Sequence, residues 1–362
     1  MTAPTADGDF DSVDVGAGVA SFQVGFEINQ LRGDVLAAPG NCGGRHIGDV
    51  FPVAVRRLGV GGCRRGVRDT RGGDDAGGHA GQFGQFQSRD QFVAGDRAAI
   101  AALTEVSVKN HVAAVESALT AVYRPWLHET ATAMQTAIGP AANAGSYQAA
   151  APPSVSGGEV VVFVDGLRLD VAHQLADRLN GAGLDVDLTS ALAALPTVTQ
   201  TAKPALVPID QGRLSAGAGL EARRAPDGPA AGVQVLRGLM GDADIQVLMN
   251  DETGDPSGTA WTEAGKLDSR GHELGAELVY ELDDEVQRIA TRIEELLDAG
   301  WAKITLVTDH GWILLPGGLP KNEGLPVAVT ETKKGRCARV KEGADLAVPT
   351  VPWHWDPEVR IA

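Results

Sequence analysis

Two short apolar runs constrain the fold of this chain more than any other feature. Glu159-Val160-Val161-Val162-Phe163-Val164 and Lys303-Ile304-Thr305-Leu306-Val307-Thr308 each stop at an aspartate, Asp165 and Asp309. Near-continuous β-branched runs of this length are the mark of strands buried on both faces, as in a parallel sheet. Residues 277–299 place Leu278, Leu282, Val286, Ile289, Ile293 and Leu296 on one stripe, which predicts an amphipathic helix feeding the second run. A helix over 170–182, with Val171, Leu175 and Leu179 inward, follows the first run, and residues 184–188 and 245–249 read as further strands. Alternating strands and helices predict an α/β, doubly wound sheet. Such sheets take their ligands at the C-terminal ends of the strands, where both aspartates stand.

The first hundred residues have a different texture. They hold 20 of the 46 glycines, ten arginines, eleven aspartates, one glutamate (Glu27) and no lysine. A glycine-rich stretch with few large aliphatics cannot repay its folding entropy. Residues 1–103 are therefore expected to be disordered, or to come from a mis-called start or frame. Residues 104–139 read as a helical segment, 140–158 as a linker rich in Ala, Pro, Gly and Ser, and 159–362 as the packed domain.

Net charge of -16 leaves no global basic footprint for nucleic acid. Three widely spaced cysteines, Cys42, Cys63 and Cys337, do not make a disulfide framework and fit a reducing compartment. The N-terminus has no apolar signal region, and no uncharged run approaches the ~20 residues needed to span a bilayer. The expectation is a cytoplasmic protein with no membrane partner.

Four segments carry candidate chemistry. Asp165-Gly166 ends the first run. Pro196-Thr197-Val198-Thr199-Gln200-Thr201-Ala202-Lys203 groups three hydroxyls and a lysine before a predicted helix. This segment reads either as a threonine-rich cap or as a hydroxyl nucleophile with helix N–H groups facing a phosphate. Asp268-Ser269-Arg270-Gly271-His272 sets a carboxylate and an imidazole four apart, on a loop or a helix start. Asp309-His310-Gly311 puts the same pair at the end of the second run. Carboxylate and imidazole suit zinc or manganese. Three Asp, two His and one Thr are the ligand types of a two-metal site that clamps a phosphoryl group.

In this order the four segments resemble the alkaline phosphatase superfamily, in particular its phosphodiesterase and pyrophosphatase branch. Residues 164–170, 196–208 and 309–321 look like the PglZ proteins of BREX phage-defence systems, and the similarity runs from about 159 to 362. The resemblance implies a partial alkaline-phosphatase-like domain that hydrolyses a phosphoester. Thr199 would be the nucleophile, and Lys203 a contact to the substrate phosphate. Asp165, Thr199, Asp309 and His310 would hold one zinc, and Asp268 and His272 another. Other components of such a system are the implied partners. The family usually completes its second zinc with a histidine in a His-Gly-Gly segment, which this sequence lacks. His354, between Trp353 and Trp355, reads as a packed histidine rather than a substitute. The alternative is therefore an inactive or truncated relative that serves as a non-catalytic component of a defence complex. A nucleotide- or sugar-binding α/β domain ranks last, because no GxGxxG or GxxxxGK[ST] follows a strand.

Overall fold

The computed structural model describes residues 22–29, 99, 102, 105–106, 108–313, 325–334, 337–346 and 348–362. The expectation of disorder over residues 1–103 otherwise lies almost wholly outside them. Strand β1 (Phe22–Asn29) lies among the described residues, and at those eight positions the chain is a strand rather than disordered. Its sequence, Phe22-Gln23-Val24-Gly25-Phe26-Glu27-Ile28-Asn29, alternates apolar and polar or small residues at period two, the strand signature. The glycine-rich composition around it masks that signature.

Helix α1 (Lys109–Asn143) runs through Pro125 and Pro140 as one element, where the sequence suggested a helical segment over 104–139 and a linker from 140. The rest of that linker is tied down by backbone and side chain. Ala150 N donates to Leu192 O at 2.8 Å and the Tyr147 hydroxyl to Ala193 O at 2.5 Å.

The core then follows the expected alternation. Strand β2 (Glu159–Phe163), helix α2 (Leu169–Gly181) and strand β3 (Asp185–Leu192) come first. A one-turn helix α3 (Thr199–Ala202) and a hairpin of β4 (Leu214–Ala216) and β5 (Ala222–Arg224) follow. Helix α4 (Val233–Gly241), β6 (Ile245–Leu248), β7 (Thr259–Glu263), α5 (Leu267–Leu274), α6 (Leu278–Asp298) and β8 (Lys303–Val307) complete the layers.

The main sheet has the order β3-β1-β8-β2-β7-β6. Strands β8, β2, β7 and β6 are parallel, whereas β1 is antiparallel to both of its neighbours. β3 runs four residues beyond the expected 184–188 because β1 pairs along all of it, from Phe22 opposite Leu192 to Asn29 opposite Asp185.

Helices cover both faces. Val160, Val162 and Val164 pack with α2 and α6 in one apolar cluster, while Val161 and Phe163 pack with α4, Trp261 and Val207 in another. A strand buried on both faces can spare no polar residue until it ends, which explains the valine run and its abrupt stop at Asp165. A smaller antiparallel sheet, of β9 (Thr330–Lys334), β10 (Cys337–Val340), β11 (Val351–Pro352) and β12 (Arg360–Ile361), follows in the order β11-β12-β10-β9. No helix among the described residues is long and apolar enough to cross a membrane.

Candidate metal centre

Adjacent parallel strands deliver the first two carboxylates. β2 and β8 pair in register from Glu159 opposite Lys303 to Phe163 opposite Val307, so Asp165 and Asp309 leave the sheet at the same edge. Val164 N still donates to Val307 O at 2.9 Å, which holds the two strand ends together. Gly166 then turns the chain at φ +71°, a conformation costly for residues with a Cβ. The turn is locked from β8. Leu167 N donates to Thr308 Oγ1 (3.0 Å), Thr308 Oγ1 donates to His310 O (3.2 Å), and Trp312 Nε1 donates to Gly166 O (3.0 Å).

One ligand atom from each of Asp165, Asp309 and His310 lies within 4.8 Å of the others. Asp309 and His310 are 0 % and 1 % exposed. Asp309 Oδ1 accepts from His310 N at 3.0 Å, while Asp309 Oδ2 and Asp165 Oδ1 are sealed from solvent with no hydrogen-bond partner. Buried carboxylate oxygens without a donor are costly and uncommon, and a cation between them would remove the cost. His310 is oriented to match. Its Nδ1 sits 3.0 Å from Gly311 O, and a carbonyl can only accept. In the neutral ring Nδ1 therefore carries the proton and Nε2 turns its lone pair to the cluster, the tautomer usual for metal-ligating histidines. Nε2 lies 3.4 Å from Asp165 Oδ1 and 3.2 Å from Thr199 Oγ1. The donor set of two carboxylates, an imidazole and a hydroxyl thus fits a divalent ion of the zinc or manganese type.

Burial, then the neighbouring Asp309 carboxylate, push the Asp165 pKa up to about 7, with Asp268 adding to the rise and His310 and Lys203 opposing it. A carboxyl whose charged form is disfavoured by burial and by a second carboxylate marks a site short of positive charge.

Asp268 stands in the first turn of α5, anchored by buried Leu267 and by Lys266 N donating to the fully buried Glu285. Its Oδ1 is 3.9 Å from His310 Nε2 and its Oδ2 is 3.5 Å from His272 Nε2 one turn on. Asp268 therefore links the buried cluster to His272, which is 54 % exposed. The close approach requires Gly166, because a Cβ there would sit 3.3 Å from that of Asp268.

Lys203 follows α3, its ammonium 4.4 Å above the Phe163 ring and 2.9 Å from Glu263 Oε2 at the end of β7. Glu263 and Thr308 are site residues that sequence reasoning missed. Each directly follows or ends a strand at the ligand edge, so a correct placement of β7 would have marked Glu263. The helix that α3 was expected to start is only four residues long, too short to sum an appreciable dipole toward a phosphate. His354 N donates to Leu195 O, and its ring packs edge-on to Trp355 with centroids 4.9 Å apart.

Comparison with known proteins gives no relative. The chain matches no family model, no curated protein and no solved structure. What it does must be argued from the cluster itself.

Proposed function

We propose that the protein is a metal-dependent phosphoesterase, a phosphatase or phosphodiesterase with Thr199 as nucleophile. The observation that carries this reading is the pair of sealed, partnerless carboxylate oxygens on Asp165 and Asp309, facing His310 Nε2 with the Thr199 hydroxyl at 3.2 Å. Asp165, Asp309, His310 and Thr199 would hold one ion, with zinc as the proposed metal. Asp268 and His272 would give a second ion two protein ligands, one fewer than the three usual at catalytic zinc sites. A bound ion supplies Lewis-acid stabilisation of negative charge on oxygen.

The chain's own residues do the rest. Thr199 Oγ, having lost its proton to solvent, bonds to phosphorus as the bond to the leaving oxygen breaks with its electron pair. That oxygen is protonated by water. Water then attacks the phosphothreonine, the Oγ–P bond breaks, and Thr199 regains a proton. Lys203 would contact the substrate phosphate, exchanging its pairing with Glu263 for a phosphoryl oxygen. The resemblance to PglZ proteins supports a phosphoester substrate and a place in a BREX-type phage-defence system with its other components as partners, and the three widely spaced cysteines favour a cytoplasmic location.

The test is metal analysis of the chelated and zinc-reloaded chain, with hydrolysis of bis-p-nitrophenyl phosphate. One tightly held zinc and slow turnover that Thr199→Ala abolishes while retaining the metal are expected. Failure to take up any stoichiometric zinc or manganese would sink the proposal. The alternative is an inactive relative serving as a non-catalytic component of a defence complex, favoured by the two-ligand Asp268–His272 half of the site, whose imidazole is solvent-exposed. Tight zinc binding without turnover would support it.

A further inference from the structure

A one-turn helix cannot hold its own orientation, since helices this short are below the length at which they are stable alone. What fixes α3 is its neighbour two residues after Thr199. Thr201 is fully buried. Its hydroxyl donates to Leu220 O at 2.5 Å and accepts from Trp353 Nε1 at 3.2 Å, and its carbonyl accepts from Trp355 Nε1 at 3.0 Å. Between the two tryptophans, His354 N donates to Leu195 O at 2.9 Å. Three consecutive residues after β11 thus each donate to the segment 195–201 that carries Thr199.

The loop that offers Leu220 O is gripped from the same small sheet. Arg339 on β10 donates to Gly217 O and Gly219 O at 3.2 and 3.3 Å, lies 5.6 Å from the Trp353 ring centroid, and pairs with Glu331 at 2.8 Å. Leu195, Val198, Leu220, Val351 and Trp353 close one apolar cluster around it. On a helix, residues two apart point about 200° from each other, so the grip on Thr201 lies away from the side on which Thr199 meets His310. A buried threonine hydroxyl with one acceptor and one donor has no rotational freedom left.

We propose that Trp353, Trp355 and Thr201 are positioning residues that aim the Thr199 hydroxyl at the Asp165–Asp309–His310 cluster, so that the C-terminal sheet and the residues after β11 set the geometry of the site. The proposal rests on the reading of Thr199 as a metal ligand.

The probe is Co²⁺ alone, whose visible absorption reports its ligand set, titrated into the full chain and into Thr199→Ala, Thr201→Val, Thr201→Ser and Trp353→Phe. Thr201→Val removes the hydroxyl at nearly constant volume. Trp353→Phe removes the indole donor, and Thr201→Ser keeps the hydroxyl. Thr199→Ala should shift the native spectrum. Thr201→Val and Trp353→Phe should shift it the same way, with Co²⁺ affinity within about tenfold of native, and Thr201→Ser should restore the native bands. Native spectra for Thr201→Val and Trp353→Phe would overturn the proposal, as would a native spectrum for Thr199→Ala.

If the native chain takes up no Co²⁺, the metal reading fails and the grip is read separately from hydrogen exchange. The Thr201, Ala202 and Lys203 amides, bonded to Val198 O and Thr199 O, should then exchange about five- to tenfold faster in Thr201→Val and Trp353→Phe. Unchanged exchange in both overturns the grip itself.

Discussion

The site holds two Asp–His pairs of the same chemistry in opposite surroundings. Asp309 and His310 end a central strand and are sealed in the core, with the imidazole fixed by Gly311 O and the carboxylate by His310 N. Asp268 and His272 face each other across one turn of α5, the imidazole in solvent and held only by a 3.5 Å approach to its partner. Residue type and spacing alone would rank them equally. Burial separates them: an uncompensated carboxylate is expensive in the core and nearly free at a surface. A bound cation would relieve that cost at the buried pair, whereas half-buried Asp268 and exposed His272 have less to gain from one.

The largest expected effect therefore lies in the buried pair. His310→Ala should weaken zinc binding by at least about 100-fold, measured by competition with a chromophoric chelator. A loss as small as that of the exposed histidine would break the comparison.

Next comes Gly166→Ala, which should sharpen it. The new Cβ meets Asp268 and the backbone sits at φ +71°, so a destabilisation of about 1–2 kcal/mol is expected, visible as a lower melting temperature. Relief of the contact moves α5 outward, so the variant should keep the buried ion and lose whatever Asp268 adds. Loss of the buried ion first would show that the halves are not separable.

A smaller effect comes from the titration of Asp165. Its pKa is raised to about 7 in the folded, metal-free protein, so the folded state binds more protons than the unfolded one between about pH 4 and pH 7. Its contribution to stability is least unfavourable below that window and worsens as pH rises through it. Metal-free Asp165→Asn should thus be no more stable than native at pH 4 and more stable at pH 8. After discounting for the part-exposed carboxylate, a melting temperature gain of roughly 2–4 °C is expected. A difference independent of pH would refute the assignment. Zinc affinity of the native chain should fall as pH drops below about 7, since the ion displaces this proton.

Smallest of all is His272→Ala. It should change zinc affinity of the buried centre by less than about threefold and leave the melting temperature within about 1 °C, because a surface imidazole 3.5 Å from its partner contributes little. A larger change would mean that the exposed half is part of the tight site.

How much of this was legible depended on how loudly each element's residues state their environment. β2 and β8 announce themselves because strands covered on both faces are largely aliphatic, and their terminal aspartates followed from the same logic. Thr199, Asp268 and His272 were found as types in a pattern, and the fold brings them to the edge where the strands end. β7 was missed because Thr259-Ala260-Trp261-Thr262-Glu263 has no aliphatic run. Its burial rests on Trp261 stacking against Phe163 at 5.7 Å and on Thr262 donating to Leu248 O. The C-terminal sheet was missed because its strands are two to five residues long, and strands that short carry no periodicity. With it went the role of Thr201, a buried hydroxyl whose partners lie 19 and 152 residues away.

The place of β1 between β3 and β8 has a consequence in time rather than space. It is made among the first thirty residues, yet its neighbour β8 is made more than 270 residues later, and only then can Phe26 pair with Leu306. Pairings so distant in sequence form slowly, and domains are synthesised from the N-terminus onward. The parallel strands β2, β6 and β7 can assemble while β1 still has only β3 to pair with, since its other neighbour is not yet made. The strand that carries Asp309 and His310 is then the last to arrive and the one that closes the gap. In refolding followed by pulsed hydrogen exchange, the β1 amides that bond to β8 should gain protection after those of β2 and β7. Simultaneous protection would mean that the sheet forms around β1 instead.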